Sequence, residues 1–197
     1  MNIVLLNGPP RCGKDTAGLC VVASIPNSAT FKLADPLKLA THAAFGMPHL
    51  AADAFEDCKD EPNAAFFGAT PRRAYINMSE RGIKPAFGPA HFGAVLVRSI
   101  CAARGYGVKL AVVTDAGFTS EVEPVIDTFG REHVLILQLT RLGCSFRDDS
   151  RMYLRTGTGA LAGVPSALMA NNDSKRELRR TVVWHIQHHA ERAGWEL

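Results

Sequence analysis

"NGPPRCGKDTAG", residues 7–18, follows directly on the apolar run "MNIVLL" at the start of the chain. Glycines, prolines, a lysine and an aspartate stand where a first strand runs out. Gly8, Gly13 and Lys14 fit the spacing G-x-x-x-x-G-K, after a strand and before a helix, which is the context that motif requires. Glycines let backbone amides turn inward as an anion-binding nest. The helix N-terminus adds positive potential, and the lysine reaches terminal phosphates. Pro9, Arg11 and Cys12 fill variable positions, and Asp15 and Thr16 follow the lysine. The loop is expected to hold a nucleoside triphosphate. Thr16 is placed to bond a phosphate, and Asp15 to orient a water on Mg²⁺.

Outward from that loop, the chain reads as one α/β domain over residues 1–197. Apolar runs at 2–6, 109–114, 133–139 and 166–170 have the continuous hydrophobicity of strands buried on both faces, and 29–34 is a weaker fifth. Helical spacing marks about 14–25, 36–46, 71–82, 90–104, 119–130 and 174–192. Alternation of this kind predicts a three-layer fold, a parallel five-stranded sheet with helices on both faces. Right-handed crossovers then bring the ligand loops to the carboxyl ends of the strands. "NNDS" at 171–174 offers Asp173 or Ser174 as N-cap of the last helix, with Glu177 three residues after Ser174, and Gly194 is placed to close it.

Composition fits this picture. The chain has 197 residues, 47% apolar and 21% charged, in the globular range. Its five cysteines, Cys12, Cys20, Cys58, Cys101 and Cys144, show no paired C-x-x-C spacing, which argues against a disulfide framework or zinc site and for a reducing cytosol. No run approaches the ~18 apolar residues of a membrane span, and no basic segment precedes an apolar one at the N-terminus. The expected location is cytoplasmic, with no membrane partner. A net charge of +3 does not demand nucleic acid, although a local basic stripe is compatible with it.

Carboxylates stand at two further strand ends. Asp35, in "LADPLK" (33–38), is placed to take the proton of an attacking hydroxyl, or to cap the helix begun by Pro36. Asp115, in "VVTDAGF" (112–118), occupies a position from which a carboxylate reaches Mg²⁺ through water. Glu121 falls in the first turn of the following helix. Arg141, Arg147, Arg151 and Arg155 lie within "RLGCSFRDDSRMYLR", expected to form a short lid over about 141–163. Their planar forks suit a transferring phosphoryl group, and the other reading pairs them with Asp148 and Asp149. "TPRRAYINMSERGIKPAFGPAHFG" (70–93) offers Arg72, Arg73, Arg81, Lys84 and His91, with Lys38 nearby, as an acceptor wall of cations and rings. "HIQHH" (185–189) has helical histidine spacing without a fourth ligand, and a solvated helix face explains it better than a metal.

With these motifs in order, the chain resembles the deoxynucleoside monophosphate kinases of tailed phages, within the P-loop kinase superfamily. "GPPRCGKDT", "LADPLK", the strand ending in Asp115, "LTRLG" and "NNDSKREL" carry the resemblance. It implies ATP and Mg²⁺ as cofactors, with Lys14 and the loop amides on ATP. Arg141 and Arg151 would then belong to the lid, and Asn171 and Asn172 would lie near the adenine. In that family an arginine usually stands two residues after the strand-end aspartate, as a clamp for the acceptor's phosphate. Here the place is Gly117. Either Arg72, Arg73 or Arg81 replaces the clamp, or the acceptor is not a free monophosphate. The second option is similar to the related 5-hydroxymethyl-deoxyuridine DNA kinases, which phosphorylate a hydroxymethyl base within DNA on the way to hypermodified thymidine.

The expected function is therefore ATP-dependent phosphotransfer, catalysed through Lys14, Asp35, Asp115 and Arg151. The acceptor is hydroxymethyluracil in DNA or, alternatively, a free dNMP converted to dNDP; the more distant alternative is a non-catalytic nucleotide- or DNA-binding module. Partners beyond the triphosphate donor and the acceptor include a second copy of the chain as a homodimer.

Overall fold

A computed structural model describes residues 1–147 and 149–197; Asp148, named above as a candidate partner for the arginines, lies outside the described residues. Five strands, β1 (Asn2–Asn7), β2 (Ser28–Phe31), β3 (Leu110–Ala116), β4 (Val134–Thr140) and β5 (Ser166–Ala170), form one parallel sheet in the order β2-β3-β1-β4-β5. β1 lies at the centre and is buried along its whole length. Among the described residues, seven α-helices connect or flank the strands: α1 (Lys14–Val22), α2 (Ala34–Ala44), α3 (Pro71–Asn77), α4 (Lys84–Phe87), α5 (His91–Gly105), α6 (Thr119–Phe129) and α7 (Lys175–Ala193).

Strand alternation sorts the core into two layers. Val4, Leu6, Val112, Leu135 and Leu137 meet Ala17 and Val21 of α1 and Leu178, Val182 and Ile186 of α7. Ile3, Leu5, Val113 and Ile136 meet Leu96 and Ile100 of α5 and Val122 and Ile126 of α6 on the other face. This is the expected fold class. A third, smaller cluster sits beside α2, where Phe66, Ala74 and Tyr75 pack with Phe45, Met47 and Phe55. The buried His42 ring bonds the Tyr75 hydroxyl there at 2.8 Å. Among the described residues no single helix is long and apolar enough to cross a membrane.

Three local departures from the expected elements matter for the site. β2 stops at Phe31, because the Leu33 and Ala34 amides turn onto a side chain from β3 and start α2 early. The helix expected over 71–82 changes pitch, with a π-helical turn over Met78–Ile83 between α3 and α4. Pro85, just beyond, lacks the N–H that an uninterrupted α-helix would use. Finally, β3 carries a bulge. Leu5 aligns with Val113 but Asn7 with Ala116, so one extra residue of β3 is fitted in and Ala116 joins the α5/α6 layer. Bulges re-aim side chains, and this one turns Asp115 toward α2.

The stretch 141–163 divides in two. None of its described residues from 141 to 151 is buried, whereas Leu154 and Leu161 lie in the core. Residues 152–154 cross the carboxyl ends of the central strands under a clamp built by Asn7. The Asn7 carboxamide donates from Nδ2 to the Ala116 carbonyl (2.9 Å) and the Met152 carbonyl (3.1 Å), and its Oδ1 accepts from the Leu154 amide (2.9 Å). Gln138 Nε2 donates to the Leu154 carbonyl at 2.7 Å, and the Tyr153 hydroxyl to the Leu139 carbonyl at 2.9 Å.

Candidate active site

The loop between β1 and α1 wraps as its residue types dictate. Gly13, at φ 101°, occupies a left-handed conformation that caps α1, and Arg11 is also left-handed at φ 63°. Lys14 is buried, and its Nζ donates to the carbonyls of Gly8 (2.7 Å) and Pro9 (2.8 Å). Burial pulls the Lys14 pKa below its ordinary value. Behind the loop, Asn171 donates from Nδ2 to the Cys12 carbonyl at 2.8 Å and lies against Gly13. The structure thus uses Asn171 as a strut for the loop. Burial also pushes the Cys12 thiol upward, away from thiolate chemistry.

In front of the loop a cleft of about 230 Å³ is lined by Arg11, Gly13, Lys14, Asp15, Thr16 and Arg141. Arg141 is brought there by two bonds between the β4 and β5 loops: the Asn171 amide donates to the Thr140 carbonyl, and the Leu142 amide to Asn172 Oδ1, each at 2.8 Å. Six of the residues expected at the triphosphate therefore share one cavity wall, with Gly8 and Pro9 at its root.

The acids take more specific positions than sequence indicates. Asp15 accepts from the Thr114 hydroxyl at 2.8 Å and pairs with Lys32 at 3.0 Å; against the opposing pull of burial, these contacts hold its pKa down. Asp115 accepts from two backbone amides, Leu33 to Oδ1 (2.8 Å) and Ala34 to Oδ2 (2.9 Å), and so caps α2 across the sheet. Its enclosure nevertheless pushes the carboxyl pKa up. Asp35 stands in the first turn of α2. Burial raises its pKa, Lys32 opposes the rise and the Asp115 charge reinforces it.

On the acceptor side most of the named cations already have partners. Lys38 Nζ meets Glu56 at 2.8 Å, and Glu56 also holds Lys59. Despite burial, the two lysines keep the Glu56 pKa at about 2. Arg72 forks onto Asp60, with Nε at 2.5 Å and Nη2 at 3.3 Å. Lys84 pairs with Glu80 at 2.9 Å, stands 3.6 Å from Glu121 and lies 4.3 Å from the centroid of the Phe118 ring. Arg73 and Arg81 are exposed, and the His91 ring sits against exposed Phe87 at 5.1 Å. Arg151 is held by Asp149, Nε to Oδ1 at 2.9 Å and Nη2 to Oδ2 at 2.7 Å, and its charge acts on Lys14 and Asp115.

Glu121, read from sequence as a first-turn acid, is only 6% exposed here, and burial raises its pKa to about 7. Asn7, Lys32, Thr114 and Asp149 also shape the site. The one cue to Asn7 was a polar residue ending an otherwise apolar strand. In the last helix, Trp184 stacks on His188 with rings 5.0 Å apart, so the "HIQHH" segment also serves as an aromatic face.

No protein-family model matches this sequence, and no curated protein matches it. Among solved structures, a dephospho-CoA kinase from Campylobacter jejuni is similar. It aligns with a TM-score of 0.48 and 13% sequence identity, covering 96% of this chain and 98% of that one.

Proposed function

We propose that the chain is an ATP-dependent phosphotransferase whose acceptor is an uncharged hydroxyl, the hydroxymethyl group of 5-hydroxymethyluracil in DNA. The observation that carries this reading is the pairing of two carboxyl ends across one sheet. The β1 loop sets Gly13, Lys14 and Thr16 in the wall of one cleft, and Asp35 stands in the first turn of α2, after β2, with Lys32 and Asp115 acting on its charge. Lys14, Arg11, Arg141 and the loop amides bind the donor phosphates. Asp35, whose pKa burial raises above the ordinary aspartate value, is better matched to take a hydroxyl proton than an ordinary aspartate.

Mg²⁺ fits the donor set, which is hard oxygen throughout: the Asp15 and Asp115 carboxylates, which would reach the ion through water. Among the described residues no three His, Cys, Asp or Glu side chains form a metal cage. The two carboxylates would orient waters on such an ion. When bound, it neutralises charge on the triphosphate. The chain's own residues do the rest. The acceptor hydroxyl gives its proton to Asp35, its oxygen forms a bond to the γ-phosphorus, and the bond from that phosphorus to the β–γ bridging oxygen breaks, releasing ADP. Lys14 and Arg151 offset the charge on the moving group.

The charge pattern favours a hydroxyl over a phosphate as nucleophile. Lys38, Arg72 and Lys84 are each held by a carboxylate, so a dianionic acceptor would have to displace an ion pair to use any of them. Exposed Arg73 and Arg81 are left to meet the phosphates of a strand. Labelled ATP incubated with hydroxymethyluracil duplex, and separately with free dNMPs, tests the reading. Label should enter the polymer and be lost in Lys14→Ala. Label in dNDP instead would make the chain a monophosphate kinase, and transfer to neither would leave a binding module.

A further inference from the structure

Gly117 lies just beyond β3, buried, and its φ is not among the positive values that call for glycine. Room, rather than conformation, explains it. A Cβ at this position would stand 2.6 Å from Cγ and Cδ of Arg151 and 2.8 Å from its Cβ. The aliphatic stem of Arg151 crosses the strand end in the space a side chain at 117 would fill. From there the guanidinium charge acts on Lys14 on one side and on Asp115 and Glu121 on the other.

Asp149 fixes the arginine's roll. Besides its two bonds to the guanidinium, its Oδ1 accepts from the Arg151 backbone amide at 2.9 Å. The Asp149 side chain is 10% exposed and that of Arg151 26%, so this is a sheltered pair rather than a fluctuating surface one. Met152 and Leu154, just beyond, are pinned by Asn7. Both guanidinium bonds use the Nε and Nη2 edge, so the Nη1 edge lies outside that pair.

We infer that Gly117, Asp149 and Arg151 are one device. Gly117 clears the path of the arginine stem, Asp149 is a positioning residue that sets its orientation, and Arg151 is the catalytic cation that touches the transferring phosphoryl group through Nη1. The inference rests on the phosphotransfer reading above and adds how its acceptor-side cation is delivered: from the loop after β4, across a gap in β3.

A double-mutant cycle tests it. Arg151→Ala should lower kcat about 10²-fold, the loss typical of removing one donor to a developing anion. Gly117→Ala should lower kcat at least about tenfold by displacing the stem, while the KM for ATP changes far less. In the Arg151→Ala background, where only the 2.8 Å contact with the retained Cβ remains, Gly117→Ala should cost far less in kcat than it does in the wild type, since residues acting through one contact are non-additive. Asp149→Asn should lower kcat, with partial recovery in Asp149→Glu. The same factor for Gly117→Ala with and without Arg151 would overturn the inference, as would full activity in Arg151→Ala. If the wild-type protein transfers phosphate to no acceptor, the proposed function fails separately, and the device is read in the Nε–H NMR signal of Arg151. Slow hydrogen exchange there in the wild type, lost in Gly117→Ala and in Asp149→Asn, upholds the device, and exchange unchanged by both substitutions overturns it.

Discussion

Replacing Asn7 by alanine cuts the clamp that holds residues 152–154 over the sheet. Asn7 is fully buried and, besides accepting from Gln138 Nε2 at 3.4 Å, makes bonds of 2.9, 3.1 and 2.9 Å, to the Ala116 and Met152 carbonyls and from the Leu154 amide. Alanine removes both the donor and the acceptor and leaves these groups behind. The Ala116 carbonyl and the Leu154 amide are themselves buried at that contact. An orphaned buried group costs about 1–3 kcal/mol, so two of them give roughly 2–6 kcal/mol. A water entering the vacated space recovers part of this, and about 3 kcal/mol is the expected loss. With an urea m-value of about 2 kcal/mol/M, the unfolding midpoint should fall by roughly 1.5 M. Equilibrium urea unfolding measures this directly, and hydrogen exchange at the Leu154 amide should accelerate alongside. Phosphotransfer should drop through kcat more than through ATP affinity, because Arg151 immediately precedes the loosened segment. A midpoint shift below about 0.5 M with the Leu154 amide still protected would show that the clamp does not hold this segment.

Two further perturbations probe other parts of the molecule. Glu121 has its folded pKa raised from 4.5 to about 7 by burial, so the fold prefers the protonated acid. The stability this contributes is complete below about pH 4.5 and is lost as pH rises through 7. At about 1.4 kcal/mol per pH unit, the loss reaches roughly 3 kcal/mol. Glu121→Gln should flatten that slope and be the more stable protein above pH 7; parallel stability–pH curves would refute the assignment. At the far end of the chain, Trp195 is 9% exposed, donates from Nε1 to the Glu132 carbonyl at 2.8 Å and meets the His189 ring at 4.6 Å. Trp195→Ala should cost about 3–5 kcal/mol in thermal or urea unfolding, and a loss under 1 kcal/mol would mean the segment after α7 adds little to the core.

Local chemistry made the fold legible. The runs at 2–6, 109–114, 133–139 and 166–170 became β1, β3, β4 and β5 within two residues at either end, because strands buried on both faces must be apolar throughout. The N-cap of the last helix was narrowed to Asp173 or Ser174, and Ser174 Oγ accepts from the Glu177 amide at 3.2 Å. The turn from β1 into α1 was readable because its glycines and the flanking elements point one way. The ties within the site were not. That Asp115 spends both oxygens on the amides of Leu33 and Ala34 depends on a bulge in β3, and bulges have no dependable sequence mark. That Asp60, Glu56 and Asp149 hold Arg72, Lys38 and Arg151 depends on how the segment after α2 and the loop after β4 fold back. Charged residues in loops choose partners by proximity in space, which spacing along the chain does not encode.

The central place of the first strand also governs how the molecule comes into being. β1 leaves the ribosome first, yet both its neighbours are made late: Asn7 bonds a carbonyl 109 positions further on, in β3, and β4 follows still later. At about 5–20 residues per second, the first strand waits several seconds for its flanks. Pairing across such separations makes folding slow for the chain's size. During synthesis the glycine turn after β1 therefore has no sheet beneath it, and it reaches its folded setting only once the second half has emerged.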